Sequence, residues 1–373
     1  MIHHRIPILF LLILLLAACT TAPQHDGGEN VLHHATLLEM HEADSFTLVR
    51  VKNPWAEGRL LATYVMVDSG RPVPHGRPEG QLLRVPLRRA VLTSAVHAAL
   101  LAELGAEHRM AGLTDAAYVV SPRVKAILTD NGGTVRPMGT AMQPDVEQMR
   151  RAAVDAVWVS PFENAGSGPL EALRVPLVQC ADYMESSPLA RAEWMRFYGR
   201  LMGCGAEADS LFAAVETAYN GIAGKVKQSR MPRHTVMCDL PTGATWYQPG
   251  GASTMGRLLA DAGAAYLWAD RKEAGSLSLD MESVFARARR ADVWLVKYGA
   301  ATPLTYASMA SDNPRLARFD AWGKRHVWAC NTLEVPFYDE TPFHPERLLA
   351  DIASLLHPDA VKRPSAVYYT PLH

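Results

Sequence analysis

The residues best able to do chemistry form small clusters of aromatic and polar side chains, each placed just past a strand-like apolar run. Ser94 and His97 follow residues 90–93, and Phe162, Glu163 and Asn164 follow residues 154–160. In the second half, Trp246 and Tyr247 lie in the stretch GATWYQPGG (243–251), Lys297 and Tyr298 follow Val296, and Phe337 and Tyr338 follow residues 326–331. Aromatic walls with a few polar anchors suit noncovalent capture of a flat or bulky ligand. Trp246 leads this set, because a tryptophan among glycines has little reason to be core. Each of the others competes with a plain packing role.

Covalent and metal chemistry find less support. No nucleophile–base signature, glycine-rich phosphate loop or HExxH unit is present. His33, His34 and His41 have a spacing that matches no metal template, and a solvated N-terminal segment explains them better. His97, on the first turn of a helix, could ligate a haem iron; a satisfied surface histidine is the competing reading.

These clusters need elements to hold them. From residue 90 the chain alternates short apolar strands (90–93, 110–113, 154–160, 175–179) with helices, and the rhythm returns after residue 230 (234–240, 265–268, 292–297, 326–331). That pattern predicts α/β lobes with parallel sheets and helices on both faces, with ligands at the carboxyl ends of the strands. Between the two stretches lies 187–230. There Ala208, Leu211, Phe212, Val215, Tyr219, Ile222 and Val226 recur at helical spacing, after a break at Gly203 and Gly205. A helix over 207–228 would span about 30 Å and act as a strut that permits only a small closing motion. A short repeat matches two lobes: Asp145-Val-Glu147 opens a helix before Val157-Trp158, and Asp280-Met-Glu282 opens one before Val293-Trp294.

Composition agrees with this organisation. The 373 residues are 49% apolar, enough for two cores, and 37 basic against 38 acidic residues argue against a nucleic-acid protein. Residues 1–18 read as a signal peptide: His3, His4 and Arg5 precede an apolar run too short to span a bilayer, which ends in Leu16-Ala17-Ala18-Cys19. The expected division is then a lipidated tether from Cys19 (19–45), a first lobe (46–186) led by an antiparallel strand pair (46–67), a connecting helix (187–230) and a second lobe (231–373). Cys180, Cys204, Cys238 and Cys330 remain; Cys238 and Cys330 lie in strand-like runs of one lobe, and disulfides and buried free thiols are equal alternatives.

Taken together, Leu92-Thr93-Ser94, Leu104-Gly105-Ala106 with Met110–Leu113, the two D-x-E units, Ser187-Pro188-Leu189 to Trp194, GATWYQPGG, Leu259–Gly263, His344-Pro345 and His357-Pro358 resemble the substrate-binding lipoproteins of ABC importers for ferric siderophores, haem and cobalamin. Leu16–Cys19 resembles the lipobox of bacterial lipoproteins. The first resemblance implies two Rossmann-like lobes joined by one long helix and a monomer with no cofactor of its own. It implies a metal chelate in the inter-lobe cleft and lipid anchoring on the periplasmic face of a bacterial membrane. It also implies that Glu147 and Glu282 dock the permease dimer. The chain departs from the pattern in two places: 30–89 is longer than the family minimum, and Gly139–Met142 replaces a cleft aromatic. The cleft candidates hold no arginine cluster, which favours a corrinoid or haem over an anionic catecholate. Two alternatives are a chelatase-like enzyme acting on a tetrapyrrole, and a binder of free zinc or manganese.

Overall fold

In the computed structural model, which describes residues 28–130, 133, 135–365 and 367–373, the described chain begins with a sheet that is separate from the sheets of both lobes but packed on the first. Strands β1 (Leu38–Glu42), β2 (Thr47–Lys52) and β3 (Leu60–Asp68) pair antiparallel, and β4 (Gln81–Val85) adds in parallel to β3. The expected pair is there, enlarged to four strands. The signal peptide, the lipobox and Cys19 lie outside the described residues.

Here the structure corrects the tether and, in part, the solvated histidines: His33 is exposed, whereas His34 and His41 are half-buried. Glu193 and Glu185 are buried carboxylates that grip the strap before β1. Glu193 accepts from the backbone N–H groups of His33, His34 and Ala35 at 2.7–2.9 Å, and Glu185 from those of Thr36 and Leu37 at 2.9–3.1 Å. The His34 ring reaches Glu216 on the connecting helix at 2.6 Å. A buried carboxylate is tolerated only when several donors replace its water, so acids and strap require each other. Most of the expected tether from residue 30 to 45 is therefore folded.

The first lobe carries β5 (Ala90–Leu92), β6 (Met110–Leu113), β7 (Arg136–Pro137), β8 (Ala156–Val159) and β9 (Leu177–Gln179) in the parallel order β7-β6-β5-β8-β9. The second carries β10 (Thr235–Cys238), β11 (Pro241–Thr242), β12 (Thr245–Pro249), β13 (Ala265–Tyr266), β14 (Ser276–Leu279), β15 (Val293–Tyr298), β16 (Val327–Asn331) and β17 (Thr370–Pro371). Its main sheet runs β13-β10-β15-β16-β17, parallel except for β17. A separate antiparallel sheet, β11-β12-β14, stands where a loop was expected.

The sequence repeat has a structural counterpart. Asp155, before β8, accepts from the N–H groups of Arg88 and Arg89, which lead into β5; Asp292, before β15, accepts from that of Thr235, which opens β10. Asp145 and Asp280 each cap their helix, accepting from Gln148 N and Ser283 N at 2.8 Å. Trp158 and Trp294 are both fully buried.

The lobes are joined by Pro188–Glu193, Met195–Met202 and the 24-residue helix Gly205–Gln228. Ser187 caps the first, and Gly203, at φ 73°, ends the second. The long helix, about 36 Å at 1.5 Å per residue, buries Ala208, Phe212, Val215, Tyr219, Ala223 and Val226. One apolar core runs through the leading sheet, the connecting helices and both lobes. The four described cysteines are free thiols, and β15 separates Cys238 on β10 from Cys330 on β16. Two strand spacings, about 9–10 Å, exceed what a disulfide can bridge. No helix among the described residues is long and apolar enough to cross a membrane.

The lobes also touch directly. Asp339 of the second lobe accepts from Val120 N at 2.9 Å and Ser121 N at 2.7 Å, capping the first-lobe helix Pro122–Thr129. Beside it, His344 contacts Glu103 of the first lobe at 2.6 Å and Glu346 at 2.9 Å. Burial alone would push this imidazole down, but the two carboxylates outweigh it and raise its pKa to about 9. A histidine raised above its unfolded value of about 6.5 stabilises fully below that pH, and the contribution is lost as pH rises through about 9. Urea unfolding is thus expected to show a loss on the order of 2 kcal/mol between pH 6.5 and 9.5 that His344→Gln lacks. A parallel pH profile for the two proteins would refute the latch.

Candidate functional site

Both ends of the candidate site are built by strand ends. At the carboxyl edge of the first lobe, Thr93 ties β5 to β8 by donating N–H and Oγ1–H to Trp158 O at 3.1 and 2.8 Å. Ser94 occupies the cap position of the helix Ala95–Glu103 in extended geometry, yet its hydroxyl makes no cap bond. Ser94, Ser160 and Phe162 are shared by two adjoining cavities at this edge, of about 570 and 180 Å³.

The smaller cavity is backed by a buried polar cluster. His97 is 3% exposed, and its Nε2 lies 3.0 Å from Asp182 Oδ1. Asp182 also accepts from Tyr198 OH at 2.9 Å and Arg191 Nε at 3.2 Å. Burial would raise this carboxyl, but His97, Arg191 and Tyr198 outweigh it and hold it below the usual range. The ionised carboxylate in turn orients the imidazole with its Nε2–H toward Asp182. His97 is thus buried and half satisfied: Nε2 is paired with Asp182, Nδ1 is buried without a partner among the described residues, and the satisfied surface placement expected for it is corrected.

The larger cavity is walled by apolar side chains left in water. Met142 is 85% exposed and Phe162 60%. Met142 forms the wall where the sequence lacks an aromatic. Asn164 is exposed at φ 55° in the same loop as Phe162, and neither it nor Glu163 lines these cavities.

In the second lobe the structure divides the candidates. Trp246 is fully buried, donates Nε1–H to Cys238 O at 3.0 Å, and packs on Trp294 and Phe319 with ring centroids 5.7 and 5.6 Å away. It is core, because β12 is a strand: alternation turns Trp246 and Gln248 inward and Tyr247 out. Phe337 is also core, against Tyr338, Tyr368 and Tyr369. Tyr247 and Tyr338 remain exposed. Tyr298 is half-buried at the end of β15, next to Lys297, whose Nζ holds Asp239 at 2.7 and 2.9 Å. Burial would lower the Lys297 pKa, but Asp239 outweighs it and raises it, so the ammonium stays charged at the strand edge.

The exposed apolar side chains are not spread evenly over the surface. Of the eight large apolar side chains exposed among the described residues, five follow the carboxyl ends of lobe strands, Tyr118, Met142, Phe162, Leu333 and Tyr338, and a sixth, Tyr247, lies within β12. Tyr118, Met142 and Leu333 were missed in the sequence. Their signal was a bulky apolar residue within a polar loop after a strand.

A family model described as "Periplasmic binding protein" matches residues 90–332, well over half of the chain. The chain belongs to the periplasmic binding protein family. The match begins at β5, so the leading sheet lies outside it. The chain is similar to an uncharacterized lipoprotein of Methanocaldococcus jannaschii, 22% identical over 80% of this chain and 73% of that one. Its fold is similar to a structure from an ABC-type Fe3+-hydroxamate transport system of Saccharomonospora viridis (TM-score 0.57, 17% identity, 72% of this chain and 93% of that one). It is also similar to a periplasmic heme binding protein of Pseudomonas aeruginosa (TM-score 0.57, 16% identity, 77% and 99%). The architecture expected of the binding protein, two α/β lobes joined by a long helix, is the one found. Proteins of this family bind ligands and carry no resident cofactor.

Proposed function

We propose that this binding protein captures a metal chelate (ferric siderophore, haem or cobalamin) in the inter-lobe cleft and delivers it to an ABC-type importer. The observation that carries this reading is the 570 Å³ cavity at the carboxyl edge of the first-lobe sheet, walled by the exposed apolar side chains Met142 and Phe162. Each large apolar group a ligand covers there contributes about 1.5–3 kcal/mol. The similar structures named for Fe3+-hydroxamate transport and heme binding support a chelate, and the similar lipoprotein supports anchoring through Cys19. Within the same reading, Ser94, Tyr247, Tyr298 and Tyr338 with Phe162 contact the chelate. Glu147 and Glu282 dock one permease subunit each, and the protein acts as a monomer on the periplasmic face of the membrane.

The test is titration with haemin, cobalamin and a ferric hydroxamate, followed by absorbance and by tryptophan fluorescence. One of them should bind stoichiometrically. Phe162→Ala should weaken that binding by about 1–2 kcal/mol at an unchanged melting temperature, because the ring carries little core. No binding by any of the three, or equal binding by the variant, ends this reading.

A further inference from the structure

The opposite, amino edge of the first-lobe sheet holds a second opening that ligand capture does not use. Arg89 before β5, Arg136 opening β7 and Arg151 closing the helix Val146–Arg151 line a cavity of about 380 Å³, with Ala111, Gln148 and Ala152. Gly133 completes the lining, and no carboxylate among the described residues lines it. Arg89 Nε donates to Ala152 O at 2.5 Å, which fixes the root of that guanidinium. The guanidinium groups of Arg136 and Arg151 make no ion pair or hydrogen bond among the described residues. Acids of the flanking segments are committed elsewhere: Asp155 to the N–H groups of Arg88 and Arg89, and Glu147 to Arg150 at 2.5 Å.

General basicity does not explain this grouping. Residues 89–186 hold 8 arginines and lysines against 11 acids, yet three of the eight share one cavity. Arginine cannot relieve like-charge repulsion by losing its proton, so a bound counter-anion would stabilise the arrangement beyond what solvent screening does. Guanidinium forks match planar or tetrahedral oxyanions, and three of them offer more donors than one carboxylate can accept.

We propose that this cavity is an anion site for a phosphate group, either free or on a phospholipid headgroup. A headgroup there would hold the first lobe by the edge opposite its ligand cavities. The site is independent of the chelate: titration of chelates can fail without touching it.

The test uses the full chain carrying Cys19→Ser, so that no acyl chain contributes. Inorganic phosphate and diphosphate are titrated calorimetrically at constant ionic strength, with chloride as the control anion. Saturable binding is expected, at least tenfold weaker in the double variant Arg136→Ala with Arg151→Ala, whose side chains are exposed. The charge-preserving Arg136→Lys with Arg151→Lys should retain part of it, which guards against a folding defect. Co-sedimentation with phosphatidylglycerol vesicles, lost in the alanine variant and competed by diphosphate, assigns the lipid source; phosphate binding without co-sedimentation assigns the free anion. Binding of neither probe, or equal binding by wild type and alanine variant, overturns the site.

Discussion

Trp246→Ala is expected to lower the unfolding free energy by about 3–5 kcal/mol, the range for removing a large aromatic from a packed core. The indole has no exposed surface, and Trp294 and Phe319 close around it. Its Nε1–H and the Gln248 amide both donate to Cys238 O at the end of β10, so truncation loosens the hairpin from the main sheet. Chelate affinity measured well below the melting transition should change little, because Tyr247 is the residue of this hairpin that faces solvent. Urea unfolding and ligand titration on one preparation check both halves. A stable variant with weakened binding would return Trp246 to the cleft.

That residue also shows where reading a sequence meets its limit. The parallel strands were legible because strands buried on both faces, such as Ala156–Val159 and Val293–Tyr298, are near-continuous apolar runs. The strut was legible because its apolar positions keep helical spacing over 24 residues, and their burial follows that spacing. GATWYQPGG contains the alternation of a strand, with Trp246 and Gln248 inward, but its glycines signal a loop more strongly. The strap was hidden for a different reason. His33 to Leu37 gain their partners from Glu185 and Glu193, roughly 150 residues away, and a carboxylate reads as a surface residue until its donors are known. Among the candidate site residues, loop aromatics were legible as a class; which face of β12 or which turn near Phe337 points outward depends on tertiary packing.

The double substitution Glu147→Ala with Glu282→Ala is expected to abolish chelate uptake and stimulation of the importer's ATPase while leaving chelate affinity unchanged. Both carboxylates are solvent-exposed on the first turn of helices that run back into a central strand, β8 or β15, so they sit on the same side as the strands' carboxyl ends. Neither is needed to start its helix, because Asp145 and Asp280 already take the capping N–H groups. Removing them should cost little beyond a helix-dipole contribution of about 0.3–1 kcal/mol each. Glu147 rests on Arg150 at 2.5 Å and Glu282 on Arg315 at 2.6 Å, which holds the Glu282 carboxyl below the usual range. Exposed pairs of this kind are weak, so a permease arginine can take the place of the intramolecular one. One such exchange per lobe fixes orientation and speeds encounter more than it adds affinity, and uptake should therefore be slower in each single variant and less sensitive to salt than in the wild type. Transport assays in reconstituted vesicles, run beside chelate titrations of the same proteins, separate the two effects. Normal uptake by the double variant, or a loss of chelate binding in it, would remove these residues from the docking surface.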